Sequence, residues 1–332
     1  MRCKSKMGLT GLRATWVALA VLVGTLPDNA KAQSDFPVKP VRFISAAVAG
    51  AGSDTTARAI AHKLTQKWGY QVIVDNRPGA GGLIALDVLS KALPDGHTLV
   101  LISANVPLHT AVNPKWPYDV TRDMTPLSQV TSLFYIAYQN PALPFGTFKE
   151  MIAYARQHPG KLNYGSPGTG TLQHLGWEMI GQMAGIKLTH VPYKSGAPAI
   201  TAALSGETQI GFGTLISLRP HMTTNRLRML AVTSKQRAPS LPELATVAEL
   251  GYPGYEIDQW YGVVTGLKVP PVILKKLNAD IVEAVKSPDV AQRLAGDGSM
   301  AVGSSPQQFV ADITAETAKW RRIAKETGLV LQ

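Results

Sequence analysis

Cysteine is nearly missing from this chain: among 332 residues there is one, Cys3. A single cysteine so close to the N-terminus cannot form an internal disulfide framework, and it leaves the rest of the chain without a thiol nucleophile or a cysteine metal site. Charge is also scarce, at 17% of residues, against 45% hydrophobic ones. That balance excludes a disordered chain and fits a folded protein long enough for two domains. Low-complexity tracts and fixed-period repeats are absent too. So are the familiar motifs. Gly50-Ala51-Gly52 lacks the third glycine and the ribose-binding acid of a dinucleotide fingerprint, and no glycine loop ends in the Gly-Lys-Ser/Thr of a P-loop. Gly165-Ser166-Pro167-Gly168 is not the Gly-x-Ser-x-Gly of a nucleophile elbow. The seven histidines show no metal-ligand spacing. No metal or cofactor is expected. The basic residues are scattered without interleaved aromatics, so nucleic acid is not an expected partner.

What is present begins with an export signal. Arg2, Lys4, Lys6 and Arg13 precede a mostly apolar stretch from Ala14 to Leu26. That stretch is shorter than the roughly 20 residues a membrane span needs. Ala30-Lys31-Ala32 then has the small-x-small pattern of a cleavage site. Residues 1–32 are therefore expected to be a cleaved signal peptide, and the mature chain a soluble monomer of the bacterial periplasm. The leader holds five basic residues and one acid, so its removal lowers the formal charge from +11 to +7. This remaining bias favours solubility and the steering of anions.

Strands alternate with helices along the mature chain. Val41–Ala46, Gln71–Asp75 and His97–Ile102 read as buried strands. Helices follow from Ser53, expected as an N-cap, to about Trp68, and over Leu83–Ala92. A second set has strands near Leu162–Gly165, Lys187–Val191, Glu207–Phe212 and Arg228–Ser234. Its helices lie over Thr171–Ala184 and Gly196–Ser205. Thr147 with Glu150, and Thr246 with Glu249, have capping-box spacing. Helices close the chain over Pro271–Lys286 and from Ser305 to about Glu326. The pattern predicts an α/β protein with parallel sheets, either two lobes or one large doubly wound sheet.

Two loops could hold a ligand. Ser45–Asp54 and Gly165–Thr171 each lead from a strand into a helix, and their small residues let a guest approach the backbone. The first amides of a helix lack intrahelical partners and favour an anion. The hydroxyls of Ser53, Ser166, Thr169 and Thr171 would add directional bonds. His174, one turn into the second helix, is a further candidate, and Asp54 is a first-turn acid suited to the dipole, an acceptor for a ligand amine or hydroxyl, or a loop organiser. Trp260 and Tyr261 line a cleft or fill a core; Arg77 reads as a loop organiser.

These residues also carry a resemblance. The matching segments include Phe36-Pro37-Val38-Lys39-Pro40, the Gly50–Asp54 loop with Arg58, and Asp75-Asn76-Arg77-Pro78-Gly79-Ala80-Gly81-Gly82. Pro94-Asp95-Gly96-His97, Tyr164-Gly165-Ser166-Pro167-Gly168, Val191-Pro192-Tyr193-Lys194 and Trp260-Tyr261-Gly262 follow in order. Almost end to end, the mature chain resembles the Bug-type (TctC-like) solute receptors of tripartite tricarboxylate transporters. The resemblance implies a two-lobed, type II-like periplasmic-binding fold, each lobe a mostly parallel sheet flanked by helices. Residues 33–133 with 255–332 would form one lobe and 134–254 the other, closing on a small carboxylate that is passed to membrane subunits. Carried over, Ala49, Gly50, Ser53 and Asp54 would serve from the first lobe, with Ser103 and Asn105 beside them. Ser166, Gly168, Thr169 and Gly170 would serve from the second. The chain departs from the family at Ala46 and Ala47, where a proline and an aromatic are usual, and at Ala51, where a glycine is. An acid usual near Gly213 is also absent. Two competing functions remain at this level. One is a ligand-sensing receptor for a sensor kinase. The other is a secreted hydrolase using Ser166 and His174, which lacks a recognisable acid partner.

Overall fold

The computed structural model describes Met1, residues 35–296 and residues 298–327. The expected signal peptide, apart from Met1, lies outside the described residues. The architecture below belongs to the compact unit that begins at Pro37.

The first lobe starts as two strand–helix units. Strand β1 (Val41–Ser45) leads to helix α1 (Gly52–Trp68), then β2 (Val72–Asn76), α2 (Leu83–Ser90) and β3 (Thr98–Ser103). β1 pairs in parallel with both β2 and β3. α1 buries Ala57, Ile60, Ala61 and Leu64, the face its spacing predicts. Its N-cap is Ala51, not Ser53, and no side chain caps it; Ser53 sits buried in the first turn. α1 stops at Gly69, whose left-handed φ of 71° lets its amide return to Thr65 O. Short helices α3 (Asn105–Val112) and α4 (Val120–Asp123) follow, then the long strand β4 (Thr125–Phe134).

One residue, Tyr135, separates β4 from β5 (Ile136–Gln139), which lies in a different sheet. The second lobe continues through α5 (Phe148–Gln157), β6 (Asn163–Ser166), α6 (Leu172–Ala184) and β7 (Thr189–Pro192). It ends with α7 (Gly196–Ser205), β8 (Ile210–Gly213), α8 (Leu215–Met222) and β9 (Arg228–Val232). Thr147 caps α5 with the reciprocal bonds of a capping box. Thr246 and Glu249 make the same two bonds, at 3.0 Å each, yet only turns follow. Gly251, at φ 113°, and Pro253 prevent a helix there.

The chain then re-enters the first sheet as β10 (Asp258–Thr265). α9 (Pro271–Lys286), α10 (Pro288–Gly296), β11 (Ser299–Ala301) and α11 (Pro306–Thr327) complete it. The sheets have strand orders β11-β4-β10-β3-β1-β2 and β7-β6-β8-β5-β9. The two-lobed α/β fold is as expected, with one difference: both sheets are mixed rather than mostly parallel. β10 runs antiparallel to β3 and β4, and β5 antiparallel to β8 and β9. Each of these strands enters from the other lobe, so no crossover helix ties it to its neighbour in the parallel sense.

The crossings are stapled together. Thr233 Oγ accepts the Tyr135 amide at 2.9 Å, and the Thr233 amide donates to Tyr135 O at 2.9 Å. The Ile257 amide donates to Thr233 O at 3.0 Å, so the return crossing joins the same cluster. All of these groups are buried. Thr233→Val keeps the shape but leaves the Tyr135 amide without its acceptor. The expected loss is about 1–3 kcal/mol in urea unfolding.

Candidate functional site

Between the sheets is a cavity of about 370 Å3. Its walls are the ends of strands and the beginnings of helices. Ala46, Ala47, Ala51, Gly52 and Ser53 come from the β1–α1 turn, and Gly79, Gly81 and Gly82 from the turn before α2. Ser103 and Asn105 mark the β3–α3 junction. Pro167, Thr171 and Gln173 come from the β6–α6 turn, Gly196 from the start of α7 and Thr214 from the start of α8. Tyr135, Leu101, Gln259 and Tyr261 complete the lining. Six helices of eight or more residues thus begin at this cavity. Only α6 has a side-chain cap, from Thr171; for α1, α2, α3, α7 and α8 none is formed. None of the lining residues is Lys, Arg, His, Asp or Glu. The site is therefore a neutral-walled chamber with several positive dipole ends around it, suited to an anion and to hydrogen-bond acceptors.

The close approach depends on glycine. Gly79, Gly81 and Gly82 have φ of 120°, 65° and 104°, values that strain other residues. A Cβ on Gly81 would also fall 2.2 Å from His109 Nε2. Tyr261 stands against the opposite turn: a Cβ on Gly52 would meet its hydroxyl at 3.1 Å.

Of the residues expected from the sequence, Ser53, Ser103, Asn105 and Thr171 reach the cavity lining. The others do not line it. Ala49 and Gly50 are exposed on the outer part of the first loop, and Thr169 is exposed on the second. Asp54 is an organiser. Its carboxylate accepts from the Gly50 amide at 2.8 Å, Arg58 Nε at 3.0 Å and Asn76 Nδ2 at 2.8 Å. Burial alone would raise this acid, but Arg58, the Gly50 amide and Asn76 together hold it below its ordinary value. Arg77 also organises its loop, through Asp75 at 3.1 Å.

The second loop has the same logic. Ser166 is fully buried, and its hydroxyl is shared between the Gly168 amide (3.1 Å), Gly168 O (3.0 Å) and His190 Nε2 (2.7 Å). Ser166 therefore faces His190, not His174. Gly168 is set by these bonds and by Thr171, whose hydroxyl donates to Gly168 O at 2.8 Å. Gly170 is buried, and its amide donates to His174 Nδ1 at 3.1 Å, so His174 supports the loop from behind.

The sequence reading missed Gly79, Gly81 and Gly82 as site residues, as well as Gly196, Thr214, Gln259 and Tyr135. Trp260 and Tyr261 separate by alternation along β10. Trp260 packs edge-on against Phe309, whereas Tyr261 faces the cavity. The signal for the missed turns was present, since each follows a strand and opens a helix, where α/β sheets gather ligands.

Comparison with known proteins adds to this geometry. The sequence pattern of the TctC family, "Tripartite tricarboxylate transporter family receptor", matches residues 56–329. Protein BugT of Bordetella pertussis is 31% identical over 98% of this chain and all of its own length. A protein from the tcbD-tcbE intergenic region of Pseudomonas sp. strain P51 is 32% identical over 96% of this chain and 95% of its own. Among solved structures, an R. palustris protein with adipate superposes with a TM-score of 0.81 at 30% identity, covering 89% of this chain and 99% of that one. MatC from Rhodopseudomonas palustris with bound malate gives 0.77 at 25% identity, over 87% and 99%.

Proposed function

The chain belongs to the tripartite tricarboxylate transporter receptor family, and we propose that it captures a small carboxylate in the chamber between its lobes and delivers it to membrane transport subunits from the periplasm. One observation carries the reading: six helix beginnings surround a cavity whose walls hold no charged side chain. A carboxylate there is met by backbone amides and by the hydroxyl of Ser53, because those of Thr171 and Thr214 already donate to Gly168 O and Ser217 Oγ. Each dipole end contributes roughly 0.3–1 kcal/mol, more where solvent is excluded. Closure of the lobes about the two stapled crossings excludes that solvent and presents one shape to the transporter. Adipate and malate, the guests of two similar proteins, define the size range to examine first.

A thermal-shift and calorimetric panel of C4 to C8 dicarboxylates and aromatic acids tests the reading. A true guest at 100 times its dissociation constant stabilises the fold by about 2.7 kcal/mol. Ser53→Asp, which places a fixed negative charge in the first turn of α1, is expected to weaken binding by about 100-fold. Retention of full affinity in this variant, or a panel without a stabilising acid, would overturn the reading.

Ala46 and Ala47 line the chamber with side chains smaller than the proline and aromatic that the family resemblance implies there. Ala47→Tyr is therefore expected to shift the preference toward the shorter acids. An unchanged ranking across the panel would show that this wall does not select the guest.

A further inference from the structure

Behind the second ligand loop lies a pair of stacked histidines that the capture of a carboxylate does not use directly. His174 of α6 and His190 of β7 stack with ring centroids 4.1 Å apart and planes 27° from parallel. Tyr164 of β6 stacks on both, at 6.4 Å from His174 and 5.0 Å from His190. Each histidine holds one part of the Gly165–Thr171 loop. His190 Nε2 is 2.7 Å from Ser166 Oγ, and His174 Nδ1 accepts the Gly170 amide at 3.1 Å. The loop they hold supplies Pro167 and Thr171 to the chamber.

The protons in this arrangement can be assigned. Ser166 Oγ has one hydrogen and two acceptor sites. It accepts from the Gly168 amide, so it donates to Gly168 O and accepts from His190 Nε2–H, which uses every site once. His174 must leave Nδ1 bare to accept from Gly170. His174 is then neutral with its proton on Nε2, and His190 carries a proton on Nε2. A second proton on His174 would place N–H against N–H at Gly170. A second proton on His190 would put a charge into a half-buried stack.

We propose that His174 and His190 act as a proton-sensitive pair of positioning residues, holding the Gly165–Thr171 loop in its ligand-receiving shape near neutral pH and loosening it on acidification. Its bearing on carboxylate release rests on the function proposed above.

Burial depresses both rings below the ordinary histidine value. His190 is lowered to about 4, with His174 adding to the effect and Glu178 opposing it. Glu178 of α6, whose carboxylate accepts from the Tyr164 hydroxyl, is with Tyr164 the other titratable group facing the pair. For groups lowered in this way, the ordered loop is fully favoured above the ordinary histidine value. That advantage shrinks as pH falls from about 6.5 toward 4.

Hydrogen exchange on the mature chain tests this without any ligand, reading the 165–171 amides as protection factors between pH 7.5 and 4.5. Protection in the unsubstituted protein is expected to fall by about tenfold from pH 7 to pH 5. His190→Gln, which keeps a donor toward Ser166, and His174→Asn, which keeps an acceptor toward Gly170, should hold the neutral-pH protection and lose most of the slope. His190→Ala should lack the protection at every pH. A flat profile in the unsubstituted protein, or an unaltered slope in both conservative variants, overturns the proposal. The same variants with adipate and malate added separate the two ideas. A pH-responsive loop in a protein that binds neither these acids nor the wider panel would sink the carboxylate reading and leave the histidine pair standing.

Discussion

Asp258→Asn is expected to raise the melting temperature at pH 8 by well over twice as much as at pH 5. Asp258 opens β10, on the return crossing between the lobes. Its Oδ1 is shielded from solvent and has no hydrogen-bond partner among the described residues. The side chain borders a second cavity, of about 410 Å3, lined by Leu133, Phe134, Pro239 and Met300 together with Lys235, Gln236, Arg237 and several serines. Burial pushes this acid up to about 7; Glu256 adds to the shift, Lys319 opposes it and Glu316 adds a little more. A carboxyl raised in the folded state is a stabilising neutral acid at low pH. Its contribution declines as pH rises from the ordinary value of 3.8 through about 7, and the full deficit persists above that. Asparagine has the same outline and no charge to bury. At 1.36 kcal/mol for each pH unit, the gain at pH 8 approaches about 4 kcal/mol. At roughly 2 °C per kcal/mol for a chain of this size, that is about 8 °C. Melting curves of both proteins from pH 5 to 8.5 give the comparison. Parallel curves at a constant offset would mean that Asp258 is already ionised at low pH.

Trp177→Ala is expected to cost about 3–5 kcal/mol, the range for emptying a large aromatic site in a packed core. Trp177 lies on α6 and is entirely buried. Its indole stacks on Phe212 at 4.4 Å and 17°, and tilts against Tyr164 at 6.0 Å. The neighbouring Gly176 leaves no slack, because a Cβ there would meet Ile257 at 2.7 Å and Phe212 at 3.0 Å. The helix cannot therefore settle into the void. The loss should reach the chamber as well, since α6 begins at Thr171. Trp177→Phe should be much milder. The indole Nε1 has no partner among the described residues, so phenylalanine forfeits ring area but no hydrogen bond. Urea unfolding of the three proteins decides the matter: equal losses for Ala and Phe would mean that the indole nitrogen, not the packing, matters there.

The strand–helix units were legible because apolar runs, glycine turns and caps agree with one another along β1 to β3 and along α6, α7 and α9. Helix boundaries fell within a residue or two, and Thr147 capped α5 as its spacing required. The crossings were not legible. Leu133 to Tyr138 reads as one apolar run, and nothing local marks Tyr135 as the place where the chain changes sheets. β10 was hidden for the same reason: its partners β3 and β4 are remote in sequence, so only tertiary pairing defines it. The site was legible as a pair of loops and illegible in its details. Asp54 and Ser166 have the chemistry of ligand contacts, yet their neighbours Arg58, Asn76 and His190 consume that chemistry. Polar residues in tight turns serve the turn as readily as a guest, and only distances distinguish the two. His190 carried no signal, since it lies 24 residues from the serine it touches.

The staple between Tyr135 and Thr233 has a consequence for engineering. The second lobe, from Tyr135 to Ile257, is one uninterrupted stretch of chain, and both of its ends hydrogen-bond to Thr233. A gene segment encoding that stretch can be exchanged for a relative's by making two joins at a single spot in space. Hybrid receptors made this way would show which half of the chamber chooses the guest, with the first lobe as a constant host.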